Sequence, residues 1–477
     1  MHTTYMPPLD ALSGLLGPKG FSTDPDVMAP WLVDQRHKYT GKAFGMASPS
    51  TAEEVQAIVR LANSHDFVIV PQGGNTGMVA GATPITDRPA LLLSLRRMNR
   101  IRDVDPAQNR ITVEAGVILE HLHKEALRHG QRFPLSLGAK GSATVGGLVS
   151  TNAGGTQVLR HGPMRSLVLG LEAILADGSL YQGLAALKKD NRGYSLNHLL
   201  IGAEGTLGII TAATLKTVPA FAERHVAWAG AASPQAALKA LNRLDTDLKG
   251  ALEGFEIIPD SALKNVVAHI SGSTAPLSTE AAWHILIEAV ADADNARFIL
   301  DQLLQSLADL IEDGTLSDVV VAKNEAEANA WWTLRESISE SERVHGPALQ
   351  HDISVPVDRM PDFLTGETND IAAEFPGLVM MGFGHLGDGN IHLHAQPPRD
   401  TADKGAQWLA KHGEAISARV YEQVKAAGGS LSAEHGIGRD KRDIFRAIED
   451  PARLAALSAI KHALDPNAIL NPGALIR

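Results

Sequence analysis

"GAKGSATVGGLVSTNAGGTQVLRHGP", residues 138–163, is the stretch on which the fold turns. Glycines recur in it singly and in pairs, among Ser, Thr and Asn. Loops of this composition present backbone N–H groups to phosphate oxygens. Glycine permits the positive φ that a concave loop needs, and its missing side chain permits close approach. Lys140-Gly141-Ser142 is not a P-loop, because no G-x-x-x-x-G-K-[ST] surrounds it. Two further blocks have the same character, "PQGGNTG" at 71–77 and "GAEGTLGIIT" at 202–211. Each block alone also reads as ordinary turns and bulges. Three of them in the first half of the chain point to one large ligand that carries a pyrophosphate.

The surroundings of these blocks alternate strands and helices. Ser50 and Glu53 have capping-box spacing, and Val55, Ile58, Val59 and Ala62 follow at helical intervals. "FVIV", 67–70, reads as a strand that ends at Pro71, which places "PQGGNTG" on the loop leaving it. "ALLLSL" and "RITVEAG" read as strands, and Ile118–Arg128 as a helix. Glycine density falls after Pro219, where helical segments begin, with a strand at Trp283–Val290. A domain boundary is therefore expected near 219. The most membrane-like run, Leu196–Leu215, contains His198, Glu204 and several glycines, and reads as a buried strand-and-turn segment.

A chain of 477 residues implies two to four domains at roughly 100–200 residues each. Hydrophobic residues at 44% and charged residues at 20% are those of a soluble globular protein. The net charge of −11 argues against nucleic-acid binding, which needs a basic face. The absence of cysteine excludes disulfides, thiolate metal sites and a cysteinyl cofactor link, and it fits a reducing compartment. The N-terminal "MHTTYMPPLDALSGLLGPKG" lacks a basic stretch followed by an apolar core, so a cytoplasmic location is expected.

The second half carries its own signal, "GFGHLGDGNIHLHAQPP", 382–398. Gly382, Gly384 and Gly387 spell G-x-G-x-x-G, but that fingerprint needs a helix opening at its third glycine. Here "DGNIHLHAQ" alternates like a strand, so the match is accidental. In a strand, His392 and His394 share one face, and a glycine turn could fold His385 back beside them. Imidazoles suit a divalent metal, and Glu434 in "LSAEHGIG" is a candidate third ligand with His435 beside it. Arg335 and Ser339, four apart in a helical stretch, could clamp one carboxylate; taken alone, a solvated helix face with Glu336 and Glu340 nearby explains them better.

Together these motifs resemble the flavoprotein superfamily of vanillyl-alcohol oxidase and p-cresol methylhydroxylase. "PQGGNTG", "GSATVGGLVSTNAGG", "RHGP", "GAEGTLGIIT", "GHLGDGNIH", "AEHGIG" and "LNPG" occur in the family order, from about residue 40 to the C-terminus. The branch that oxidises D-2-hydroxy acids is most similar, the D-lactate and D-2-hydroxyglutarate dehydrogenases. The resemblance implies an α+β protein: a two-subdomain FAD-binding fold, and a separate substrate domain built on an antiparallel sheet with helices. It implies an N-terminal segment (1–38), an FAD domain (39–219), a substrate and metal domain (220–440) and a segment returning to the FAD domain (441–477).

By the same resemblance, FAD would contact Pro71, Gly73, Gly74, Asn75, Thr76, Gly77, Pro134, Gly138, Gly141, Ser142, Thr144, Gly146 and Gly147. Asn152, Gly154, Gly155, Arg160, Gly162, Gly205, Ile209, Ile210 and Asn471 would follow along the cofactor, with His161 beside Arg160. Some relatives attach FAD through a histidine in the first glycine loop; here Asn75 occupies that region, so non-covalent FAD is expected. His385, His392 and Glu434 match metal ligands, with zinc the first candidate, and His435 matches the catalytic base. Arg335 and Ser339 match residues that bind the substrate carboxylate. Two positions depart from the family: Gln350 where lysine is common, and His394 where asparagine is common. Both are substrate-facing in the family. The loss of a lysine weakens the case for a second substrate carboxylate.

The implied reaction is metal-assisted oxidation of a D-2-hydroxy acid to the 2-oxo acid, with hydride passing to flavin N5 and His435 as base. The implied electron acceptor is a quinone, an electron-transfer flavoprotein or a cytochrome, which would allow peripheral contact with a membrane; a homodimer is compatible. The alternatives are an oxygen-using 2-hydroxyacid oxidase, a non-enzymatic flavin carrier, and a zinc-dependent hydrolase that would leave the glycine blocks unexplained.

Overall fold

The computed structural model describes residues 5–399 and 404–476. The polypeptide forms two compact units. The first comprises residues up to Gly155, then Gly162–Ala220, then Glu434 onward. The second comprises Thr156–His161 and Phe221–Ala433. Among the described residues, no helix is long and apolar enough to cross a membrane.

The first unit contains two main sheets. One has the order Phe21–Ser22, Gly45–Ala47, Ala90–Ser94, Val68–Gln72. Its three longer strands run parallel, and Leu91 and Leu93 are fully buried in a core with Val55, Ile58 and Val59 of the helix Ala52–His65. That helix begins one residue later than the Ser50–Glu53 spacing predicts. Thr51 is the cap, accepting from the Glu54 amide at 3.2 Å, and the Glu54 carboxylate reaches back to the Ser50 amide. Thr51 is as good a cap as Ser50, and its register buries the apolar stripe.

The strand Val68–Gln72 also runs through Pro71 rather than stopping there. It is the last in its sheet order, where a missing N–H is tolerated. The second sheet is antiparallel, in the order Ile101–Asp105, Arg110–Glu114, Ile209–Lys216, Val168–Ile174, Leu180–Gly183.

The C-terminal strap completes this unit. The Ile69 amide donates to the Ile469 carbonyl at 2.7 Å, and the Asn471 amide to the Ile69 carbonyl at 2.8 Å. Asp465, 2% exposed, shapes the strap: its carboxylate accepts from the amides of Ile469 and Leu470 at 3.0 and 2.9 Å and pairs with Lys461.

The second unit is one seven-stranded antiparallel sheet. Its order is Asp318–Val321, Glu223–Ala231, Trp283–Ala291, Leu252–Pro259, Val379–His385, Asn390–Gln396, Leu349–Ser354. Trp228, Leu286, Ile258 and Phe383 form a core with Leu263 and Val266 of the helix Asp260–His269 and with Trp331 and Leu334 of Glu325–Glu336. Thr156–His161 joins this unit because Arg160 bonds Glu253 at 3.0 Å and Leu159 fills the space above Gly387, where a Cβ would lie 2.7 Å from it.

Asp465→Ala would leave two amides without their acceptor and the Lys461 ammonium without its counter-ion, held only by the carbonyls of Thr206 and Leu470. Loss of one partner from a buried pair costs about 3–5 kcal/mol. The urea midpoint of the variant should fall accordingly, and an unchanged midpoint would remove the strap from the stability of this unit.

Candidate active site

A cavity of about 420 Å³ lies within the first unit. It is lined by Pro71, Gly73, Gly74, Asn75, Thr76 and Gly77, by Gly138, Thr144, Gly146, Gly147 and Gly154, and by Gly205, Ile209 and Ile210. The three glycine blocks therefore meet at one place. A Cβ on Gly73 would sit 2.1 Å from Thr144 Oγ1, and one on Gly74 would sit 2.0 Å from the Ser142 carbonyl. No side chain fits at either position: the Gly73 backbone lies against the Thr144 hydroxyl and the Gly74 backbone against that of Ser142. Asn75, with φ of 55°, turns its amide to the Val33 carbonyl at 2.9 Å.

Other expected cofactor residues stand outside this lining. Ser142 backs Gly74. Asn152 Oδ1 accepts from the Arg165 amide at 2.8 Å. Gly155 lies against the Ser136 carbonyl, and Gly162, with φ of 72°, follows the helix Val158–His161. Arg160 belongs to the second unit. Pro134 and Gly141 are also absent from the lining.

Glu434 and His435 line the same cavity, and what holds their loop is Glu204. Glu204 Oε1 accepts from the Ile437 amide at 2.8 Å, and Oε2 from the Gly438 amide at 2.7 Å. A Cβ on Gly436 would meet Glu204 Oε1 at 2.8 Å, so "AEHGIG" needs its glycine there. Asn471 Nδ2 donates to the Glu204 carbonyl at 2.8 Å and to the Gly81 carbonyl at 2.9 Å. Burial pushes the Glu204 carboxyl up to about 7, against the two amides and the charges of Lys441 and Arg439. No local pattern marks Glu204 for this part, although it lies inside the motif "GAEGTLGIIT".

In the second unit, the sheet register gathers the histidines. His392 is paired with Phe383 and His385 with Asn390, so His385 and His392 share a face with ring centroids 5.3 Å apart. His385 Nδ1 donates to Glu256 Oε1 at 2.5 Å. Arg335 Nε donates to the other oxygen of the same carboxylate at 2.7 Å. Burial would raise the Glu256 carboxyl, but the charges of His385 and Arg335 hold it down to about 2. Arg335 also stacks on Phe383, 5.0 Å from the ring centre.

Arg335 and Ser339 do not share one continuous helix. Glu325–Glu336 ends, and a separate short turn, Ile338–Ser341, begins after Ser337. Ser339 is exposed. His394 is buried and donates through Nδ1 to Glu342, which also accepts from Gln396 at 3.2 Å. Gln350 faces His394 in the register of the edge strand and is exposed. Glu256 and Glu342 belong to no motif; Glu256 has one sequence signal, a carboxylate amid apolar neighbours in "GFEIIP", and Glu342, in the polar run "SESERV", has none.

Residues 45–183 match the model of an FAD binding domain, and 221–475 match that of the C-terminal domain of FAD linked oxidases. The chain belongs to the FAD-linked oxidases. This FAD-linked oxidase is 36% identical over 461 residues to a mitochondrial D-2-hydroxyglutarate dehydrogenase of Arabidopsis thaliana, covering 96% of this chain and 79% of the relative. It is 34% identical to the D-2-hydroxyglutarate dehydrogenase of Xanthomonas citri, over 95% and 93% of the two chains. A Schizosaccharomyces pombe protein provisionally named a mitochondrial D-lactate dehydrogenase is 34% identical over 94% of this chain and 85% of its own length.

Among solved structures, p-cresol methylhydroxylase with substrate bound matches with a TM-score of 0.71 at 16% identity, over 98% of this chain and 95% of that one. An alkyldihydroxyacetonephosphate synthase matches at 0.73 with 15% identity, over 97% and 84%. The fold is that of the vanillyl-alcohol oxidase and p-cresol methylhydroxylase flavoproteins, as the motifs imply, and the enzyme is an FAD-dependent oxidoreductase. The zinc-hydrolase alternative is set aside.

The cavity suits FAD on its own terms. Thr144 Oγ1 is buried with no hydrogen-bond partner among the described residues, although it borders the cavity. A buried hydroxyl of this kind calls for a polar ligand.

The Glu204 clamp has a pH signature. Its folded pKa, about 7, lies above the ordinary 4.5, so its contribution to stability is full below pH 4.5 and is lost as pH rises through 7. The difference corresponds to a loss on the order of 3 kcal/mol. Thermal unfolding between pH 5 and pH 8 should show a fall in Tm that Glu204→Gln flattens; parallel profiles for the two proteins would refute it.

Proposed function

We propose that this FAD-linked oxidase converts a D-2-hydroxy acid to the 2-oxo acid. The observation that carries the reading is the placement of Arg335 and His385 on one carboxylate, Glu256, with His392 beside them. A guanidinium fork matches a carboxylate, and a pair of imidazoles matches a divalent cation near a hydroxyl. The names of the D-2-hydroxyglutarate and D-lactate dehydrogenase relatives support the same class.

Each residue then has a role. Arg335, with Ser339, fixes the substrate carboxylate, which orients the carbon that loses hydrogen. His385, His392 and Glu434 hold the cation, with zinc the first candidate. Nδ1 of His385 is committed to Glu256, so Nε2 is the nitrogen that would meet a metal, an arrangement common among metal-binding histidines. His435 accepts the hydroxyl proton, since imidazole titrates near neutrality. The bound cation supplies Lewis-acid polarisation of the hydroxyl oxygen. Bound FAD supplies the two-electron acceptor that no side chain can provide. We take FAD to be non-covalent, because Asn75 has no nucleophile and the chain has no cysteine. A quinone, an electron-transfer flavoprotein or a cytochrome then reoxidises it.

The substrate is a monocarboxylate of the lactate kind. Gln350 carries no charge, and His394 already has an anion, Glu342, against it. Among the described residues of that part of the sheet, a second substrate carboxylate would therefore meet Gln350 and a histidine already paired with Glu342.

Anaerobic bleaching of the flavin should therefore occur with D-acids and not L-acids, and a chelator should suppress it. D-Lactate-type acids should exceed D-2-hydroxyglutarate in kcat/KM by about tenfold or more, the worth of one charge-assisted contact. Equal or inverted preference would reject the monocarboxylate assignment, and rapid peroxide formation under air would identify an oxidase instead.

His435→Ala should keep FAD and metal yet lower turnover by about 10²–10⁴-fold, the weight of a general base. Near-normal turnover would remove His435 from the chemistry.

A further inference from the structure

Glu256 sits on the central strand Leu252–Pro259, opposite His385 in register, with no solvent exposure. One oxygen takes the His385 Nδ1 proton and the other takes the Arg335 Nε proton. A buried carboxylate is costly unless such donors answer it. The consequences for its partners are geometric. The bond to Nδ1 fixes the tautomer and plane of His385. The bond to Nε uses the inner edge of the guanidinium, so the outer edge is the one a carboxylate would meet. Phe383 supports the guanidinium from its face.

We propose that Glu256 is a positioning residue that sets both subsites at once, the imidazole that meets the cation and the guanidinium that meets the substrate carboxylate. This rests on the functional reading above. It makes one rigid strand the common reference for two groups that come from different elements, Arg335 from a helix and His385 from a strand end. The spacing between cation and substrate carboxylate is then fixed by the width of a single carboxyl group. An amide in its place would offer one acceptor and present an NH₂ to the second donor.

The test uses the full-length holoenzyme and Glu256→Gln. Zinc affinity is measured by chelator competition, and KM and kcat for the best D-2-hydroxy acid are measured at saturating zinc. Expected are a zinc affinity weaker by about 10–100-fold, the usual effect of losing a partner of a metal-binding histidine, and a KM still raised when zinc is saturating. Flavin content should be unchanged, since FAD lies in the other unit; that separates positioning from general damage. If Glu256→Gln does not fold, Glu256→Asp keeps the charge but is one methylene too short to hold both donors, and the same two shifts are expected. Wild-type zinc affinity, or wild-type KM at saturating zinc, overturns the inference.

His385→Ala separates this from the underlying reading. If it loses zinc and activity while Glu256→Gln retains both at wild-type values, only the role of Glu256 fails. If His385→Ala turns over normally without zinc, the metal reading fails and this inference with it.

Discussion

Glu204 is 8% exposed, so both of its oxygens must find donors inside the protein. It finds them in consecutive backbone amides of the returning C-terminal segment, at Ile437 and Gly438. Its own carbonyl is held in turn by Asn471. One residue thereby ties three distant stretches, "GAEGTLG", "AEHGIG" and "LNPG", and its carboxyl fixes the loop on which Glu434 and His435 stand. Glu256 solves the same problem differently. Its donors are charged side chains instead of amides, and the carboxyl is driven down to about 2 where that of Glu204 is driven up. For Glu204, two amide bonds and the charges of Lys441 and Arg439 only partly offset burial, whereas for Glu256 cations bonded directly to the carboxylate overcome it.

The glycine loops of the first unit reflect a second constraint, that of volume. Gly73 and Gly74 are pressed against Thr144 and Ser142 at distances that leave no room for a Cβ. The two loops close on each other there, and both line the cavity.

Much of the fold was legible from local sequence. The helix Ala52–His65, the strand Asn390–Gln396 and the failure of the G-x-G-x-x-G stretch to open a helix follow from periodicity and turn chemistry. The seven motifs carried the family and therefore the two-subdomain architecture. What escaped reading was set by tertiary pairing. The strand through Pro71 is allowed because it is last in its sheet order, and no local pattern states where a strand will stand. The helix break at Ser337, which separates Arg335 from Ser339, has no glycine or proline to announce it. Glu256 lies 79 residues from Arg335 and 129 from His385 along the chain, so no motif could join them.

The interleaving of the two units bears on how the protein is made. The first unit is interrupted twice, and its final piece begins at Glu434. A nascent chain emerging at roughly 5–20 residues per second has the strand around Ile69 within seconds. It must then wait, on the order of twenty seconds or more, for the segment that covers that edge and supplies the amides for Glu204. Until that segment has emerged, the sheet edge and the Glu204 carboxyl lack their partners, so this unit can be completed only after the sequence of the other has been made, whatever the speed of its local folding.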